Sequence, residues 1–185
     1  MKPHQSNAMT TPHLIAIPSP AVAPSAARDF DFLMGPWRIR NTRLVRRLAG
    51  CNDWEVFDAT GTARPLPGGI GNYDDFIPTT WKPGFVGMAL RVFSPEAQRW
   101  SIYWLDNTTG GVDAATGLLH PPVVGGFRDG VGIFEGQENF EGRPVHVRFE
   151  WSQMHTGAPR WQQAFSDDGG ATWEVNWVME FARPV

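Results

Sequence analysis

Cysteine, positive charge and long apolar runs are all scarce in this 185-residue chain, and each shortage closes off a class of function. The single cysteine, Cys51, cannot form an internal disulfide, so an oxidising compartment is not required; with no lysine or histidine beside it, it reads as an inert thiol. Charged residues make up 19% of the chain and sum to -3, which gives no electrostatic reason to expect nucleic acid or an anionic membrane as a partner. No stretch of about 18 apolar residues occurs, so no membrane-spanning helix is predicted. The five histidines include no pair at ligand spacing, so no metal site is expected. Gly68-Gly-Ile-Gly71 lacks the helix and lysine that a phosphate-cradling loop needs. In residues 1–27, Pro12, Pro18, Pro20 and Pro24 interrupt every apolar stretch. This segment therefore reads as a disordered or weakly ordered tail, not as the apolar core of a secretory signal, and a cytoplasmic location is expected. Within it, Gln5-Ser-Asn-Ala-Met9 is similar to a protease-tag remnant ahead of an initiator methionine.

What the chain does have is punctuation and aromatic mass: 20 glycines, 16 prolines, 9 tryptophans and 12 phenylalanines, a composition that favours strands and turns. Residues 28–185 are long enough for one domain with a sizeable core. A short helical turn over Arg28 to Gly35 leads into strand-like runs at Trp37–Leu48, Trp54–Arg64, Gly71–Ile77, Phe85–Phe93 and Trp100–Asp106. Five more follow at Val123–Phe127, Val131–Phe140, Val145–Trp151, Trp161–Phe165 and Trp173–Ala182. This spacing predicts an all-β, closed antiparallel up-and-down barrel of about ten strands. Gly35 and Trp37 entering the first strand, with Arg183 ending the last, predict a base where the two chain ends lock together.

Three hairpins predict which side chains face inward. Pairing Val92 with Trp100 places Leu90 opposite Ile102 and Met88 opposite Trp104 on the inner face, with Arg91 outside and Asp106 inward at the strand end. A two-residue Glu141-Gly142 turn pairs Glu138 with Val145 and Phe134 with Phe149, which puts Glu138 inside and His146 outside. Pairing Phe165 with Trp173 and Gln163 with Val175 turns Gln163 inward. Ser166-x-Asp168-x-Gly170-x-Thr172 between those strands reads as a self-capping hairpin turn. The first strand alternates Trp37, Ile39, Asn41 and Arg43 inward.

Gly35-x-Trp37 with Arg183 resembles the base of lipocalins and the wider calycin group. Phe30-Asp-Phe-Leu-x-Gly35-x-Trp37, Arg99-Trp-Ser-Ile-Tyr-Trp-Leu-Asp106, Phe140-Glu-Gly-Arg143 and Trp173-Glu-x-Asn-Trp-Val-Met179 resemble, more closely, a bacterial lipocalin-like family of uncharacterised function. That resemblance implies a lipocalin- or calycin-like barrel over about residues 28–185 and carries no reaction with it. Nitrobindin-like haem barrels are similar in outline, but their haem-ligating histidine lies near the C-terminus, and here no histidine follows His155. No cofactor is therefore predicted.

An apolar cup with polar groups at its mouth is the usual form of a small-molecule pocket. The expected ligand-binding set is Arg43, Met88, Trp104, Asp106, His120, Glu138 and Gln163, and the leading reading is binding of a small, largely apolar molecule. Asp106 and Glu138 double as candidate catalytic residues, because two inward carboxylates that approach each other drive one pKa up. The alternative reading is thus a cyclase-, isomerase- or lyase-type enzyme acting on a hydrophobic substrate. A third is a structural protein or homodimer whose barrel is filled by its own tryptophans.

Overall fold

Period-two alternation along the chain builds ten antiparallel strands: β1 (Gly35–Leu44), β2 (Trp54–Pro65), β3 (Gly71–Pro78), β4 (Gly87–Ser94), β5 (Arg99–Asp106), β6 (Val123–Arg128), β7 (Val131–Phe140), β8 (Arg143–Ser152), β9 (Arg160–Ser166) and β10 (Glu174–Ala182). Each pairs with its neighbour in sequence, and β1 pairs with β10, so the sheet closes into a barrel with no free edge. The computed structural model describes residues 25–185. The tail expected over residues 1–27 lies outside the described residues as far as residue 24. Of the remainder, Ala27 is buried and the Ala26 carbonyl accepts a hydrogen bond from Trp100 Nε1 at 3.1 Å, so packing begins before Arg28. Among the described residues, helix is confined to 3-10 turns at Ser25–Arg28, Asp31–Leu33 and Met154–Thr156, and none is long and apolar enough to cross a membrane.

The chain enters and leaves the barrel at one end, the base. Gly35 has φ +95°, a conformation that favours glycine, and a Cβ there would sit 3.1 Å from Arg183 Nη1. Arg183 lies over the Trp37 ring at 3.5 Å and donates to the carbonyls of Pro36 (3.1 Å) and Phe32 (3.3 Å). Trp37 Nε1 donates to the Leu33 carbonyl, so the buried indole leaves no polar atom unpaired. Above this clamp Phe30 plugs the barrel, its ring 4.9 Å from both Trp100 and Phe127 and 5.7 Å from Phe134. Phe30, Leu33, Phe93, Trp100 and Phe134 are each no more than 2% exposed, so the base is closed to solvent.

Two of the three expected hairpin registers need correction. The β7–β8 register is as expected: Glu141 and Gly142 form the turn with φ of 51° and 81°, and Glu138 lies opposite Val145. In β4–β5, however, Ser94 pairs with Arg99 and Ala89 with Trp104, a slip of one residue from the expected pairing. A slip of one turns every side chain of a strand to the other face. Met88, Leu90 and Val92 therefore stand on the outer wall, while Gly87, Ala89, Arg91 and Phe93 face inward. The outer wall is itself apolar here, so hydrophobicity alone selects the wrong face. In β9–β10 the pairing starts one residue later than expected, with Phe165 opposite Glu174 and Ala164 opposite Val175, and a bulge between Val175 and Trp177 then shifts the register once more. Gln163 then pairs with Trp177 and both remain inward as expected, but Val175 is turned outward and Asn176 is fully buried. The Asp168 turn satisfies itself: its carboxylate accepts Ser166 Oγ, Thr172 N and Thr172 Oγ1, and the Ser166 hydroxyl accepts Gly170 N.

Candidate functional site

Ala89, a small inner residue on β4, lines a space that stays unfilled above the floor of the barrel. A Cβ at Gly87 would fall 2.4 Å from the Trp104 ring, so this glycine lets the indole lie across the wall. The space that remains is a cavity of about 380 Å³ opening at the end opposite the base. Its wall is largely aromatic, with Phe76, Trp81, Phe85, Trp104, Phe149, Trp161 and Trp177 all reaching it. Trp177 is the hub, with ring centroids 5.8 Å from Trp81, 6.0 Å from Phe76 and 6.1 Å from Trp161. Trp177 Nε1 donates to Asn41 Oδ1 at 3.0 Å, which satisfies both buried groups and fixes the indole.

The floor carries a charge pair that sequence reasoning missed. Arg91 is 4% exposed, and its guanidinium meets Asp74 end on, Nη1 to Oδ1 at 3.1 Å and Nη2 to Oδ2 at 3.3 Å, with Asn72 Oδ1 also accepting from Nη1. The cation lies 5.2 Å from the Phe30 ring and 5.8 Å from Trp151, so it seals the space between cavity and plug. Arg91 Nε is buried with no partner. The one-residue slip in β4 hid this group. The signal that could have found it was the inward phase of Asn72 and Asp74 on β3, which calls for a cation opposite.

Most of the expected site residues share the cavity, but in different roles. Arg43 lines it and is bound to Glu55, Nη1 to Oε1 at 2.7 Å, between the rings of Trp81 (5.3 Å) and Trp177 (5.5 Å); Trp81 Nε1 donates to the same carboxylate. Gln163 lines the wall and donates to Asn176 Oδ1 at 2.8 Å. Trp104, Asp106 and Glu138 reach the cavity, whereas Met88 does not, for the register reason given above. His120 sits on the exposed connection between β5 and β6 and is not part of the wall, though it is close enough to influence Glu138.

Asp106 and Glu138 share no hydrogen bond, and their chemistry diverges. Burial alone would raise the Asp106 carboxyl, but hydrogen bonds from the hydroxyls and backbone N–H groups of Thr108 and Thr109 outweigh it and hold the pKa below the usual carboxylate range. Asp106 is thereby an anion that caps its own turn. Glu138 keeps much of its surface in solvent and is a rim group, yet crowding raises its pKa against the opposing pull of Arg47 and His120. Among the described residues no three His, Cys, Asp or Glu side chains gather as a metal-binding set.

No protein-family model matches the sequence, and no curated protein does. The S-type phycobiliprotein lyase CPES of Guillardia theta has a similar structure, with a TM-score of 0.53 over 84% of this chain and 90% of that one. At 8% sequence identity this likeness speaks to the fold, a lipocalin-like barrel, and to nothing finer.

Proposed function

We propose that the barrel binds a small, largely apolar molecule inside its open end. The cavity itself carries this reading: at about 380 Å³ it falls within the range of roughly 300–1,000 Å³ usual for small-molecule sites. Aromatic rings wall it, a few fixed polar groups interrupt the wall, and the plugged base closes it below. A barrel filled by its own tryptophans would leave no such cavity, whereas Trp81, Trp104, Trp161 and Trp177 stand around it as wall. The enzyme alternative has less support, because Asp106 is engaged by its own turn and shares no hydrogen bond with Glu138 at the rim. Likeness to a phycobiliprotein lyase is compatible with binding or with lyase chemistry and selects neither.

The test is titration with N-phenyl-1-naphthylamine, a neutral apolar dye, read by energy transfer from the wall tryptophans. Saturable one-to-one binding is expected. Ala89→Leu, which places a larger side chain in the cavity, should weaken it at least about tenfold, equivalent to 1.4 kcal/mol, while the thermal midpoint stays within a few degrees. Equal affinity in the two proteins would put the dye elsewhere and remove the proposal.

A further inference from the structure

The open end carries two cations that no ion pair uses, Arg47 and the exposed Lys82, whose Nζ rests over the Trp81 ring at 4.6 Å. Arg43 is committed to Glu55 and boxed between two indoles. Arg47, in the connection just past β1, reaches the same cavity and takes part in none of the six ion pairs among the described residues. Its guanidinium lies over Phe140 at 5.2 Å and Phe165 at 5.4 Å. Stacking of this kind occupies the face of the cation and leaves the donors at its edge for an acceptor. Of the acidic groups around it, Glu174 accepts the Leu48 N–H at 2.7 Å, and neither Glu138 nor Glu141 comes close enough to form an ion pair with it. Burial, and next the charge of Arg43, pull the Arg47 pKa down to about 10 against the opposing pull of Glu138, Glu141 and Glu174, so the group stays protonated at neutral pH without an ion pair of its own.

We infer that the ligand is an amphipathic anion whose apolar body lies among Trp81, Trp161 and Trp177 and whose oxyanion, a carboxylate, sulfonate or phosphate, is received by Arg47. This rests on the binding reading above and specifies the class of molecule. A planar guanidinium matches two oxygens of such a group at once. The position also suits the ligand, since the anion stays near water while the body enters the cup.

Two dyes with one skeleton separate the inference from the reading beneath it: N-phenyl-1-naphthylamine is neutral, and 8-anilinonaphthalene-1-sulfonate adds a sulfonate. Arg47→Gln should lower the affinity of the sulfonate dye about tenfold, the loss of one charge-assisted hydrogen bond, and leave the neutral dye unchanged. Arg46→Gln, an equal charge change at the exposed neighbour, should alter neither. Displacement of the neutral dye by decanoate, decyl phosphate and decanol then distinguishes the anions: Arg47→Gln should weaken one or both anionic competitors and spare the alcohol. If Arg47→Gln affects both dyes alike, or neither, the anion assignment is overturned and the cavity reading stands. If neither dye binds the unsubstituted protein, both are overturned.

Discussion

Asp74→Ala is expected to destabilise the barrel by about 3–5 kcal/mol, the usual consequence of removing one partner from a buried ion pair. Arg91 is 4% exposed and draws its two charge-assisted contacts from Asp74, so truncation leaves a buried cation with only Asn72 and two aromatic faces. A loss of this size corresponds to a thermal midpoint lower by roughly 10 °C in a domain of this length. The double variant Asp74→Leu with Arg91→Met removes both charges and should recover most of the stability, because buried pairs contribute little net free energy against well-packed apolar replacements. Chemical denaturation of the two variants checks this. A cost below about 1 kcal/mol for Asp74→Ala, the range of a surface ion pair, would mean that water in the cavity solvates Arg91 and that the floor is wet.

Phe30→Ala should be of similar severity, about 3–5 kcal/mol for truncating a buried phenylalanine. Phe30 is 1% exposed and is the one ring touching Trp100, Phe127, Phe134 and Trp151 together, so its loss leaves a hole that rigid barrel strands cannot close. The neighbouring Phe32 is only partly buried at the outer edge of the same cluster, and Phe32→Ala should cost clearly less. Equal costs for the two would show that the plug is held by the Trp37–Arg183 clamp and not by Phe30.

Strand number, closure and the meeting of the chain ends were legible in the sequence because each depends on local signals. Turn residues punctuate the chain between strands, and Gly35, Trp37 and Arg183 have a single arrangement in which a cation caps an indole at the base. Side-chain phase was legible where a turn admits one geometry, as at Glu141-Gly142, which is why Glu138 could be placed. It was not legible across Pro95–Gln98, since loops differing by one residue are equally plausible from composition and the outer wall is as apolar as the inner. That ambiguity hid Arg91 and promoted Met88. The bulge at Asn176 was invisible for a related reason: a polar residue that leaves the ladder to be buried looks, in sequence, like an ordinary outward position. Arg47 was missed although alternation continued past Arg43 along the expected Trp37–Leu48 strand turns it inward; the strand ends at Leu44, and Arg47 reaches the cavity from the connection beyond it.

Binding inside the barrel requires a hollow interior entered from the end opposite the clamp. A crystal structure of the protein with bound N-phenyl-1-naphthylamine tests this most directly. The naphthyl ring should lie inside the barrel, in contact with Trp161 and Trp177 and near the mouth arginines. Dye on the outer wall, with the interior closed by the tryptophan rings, would contradict it.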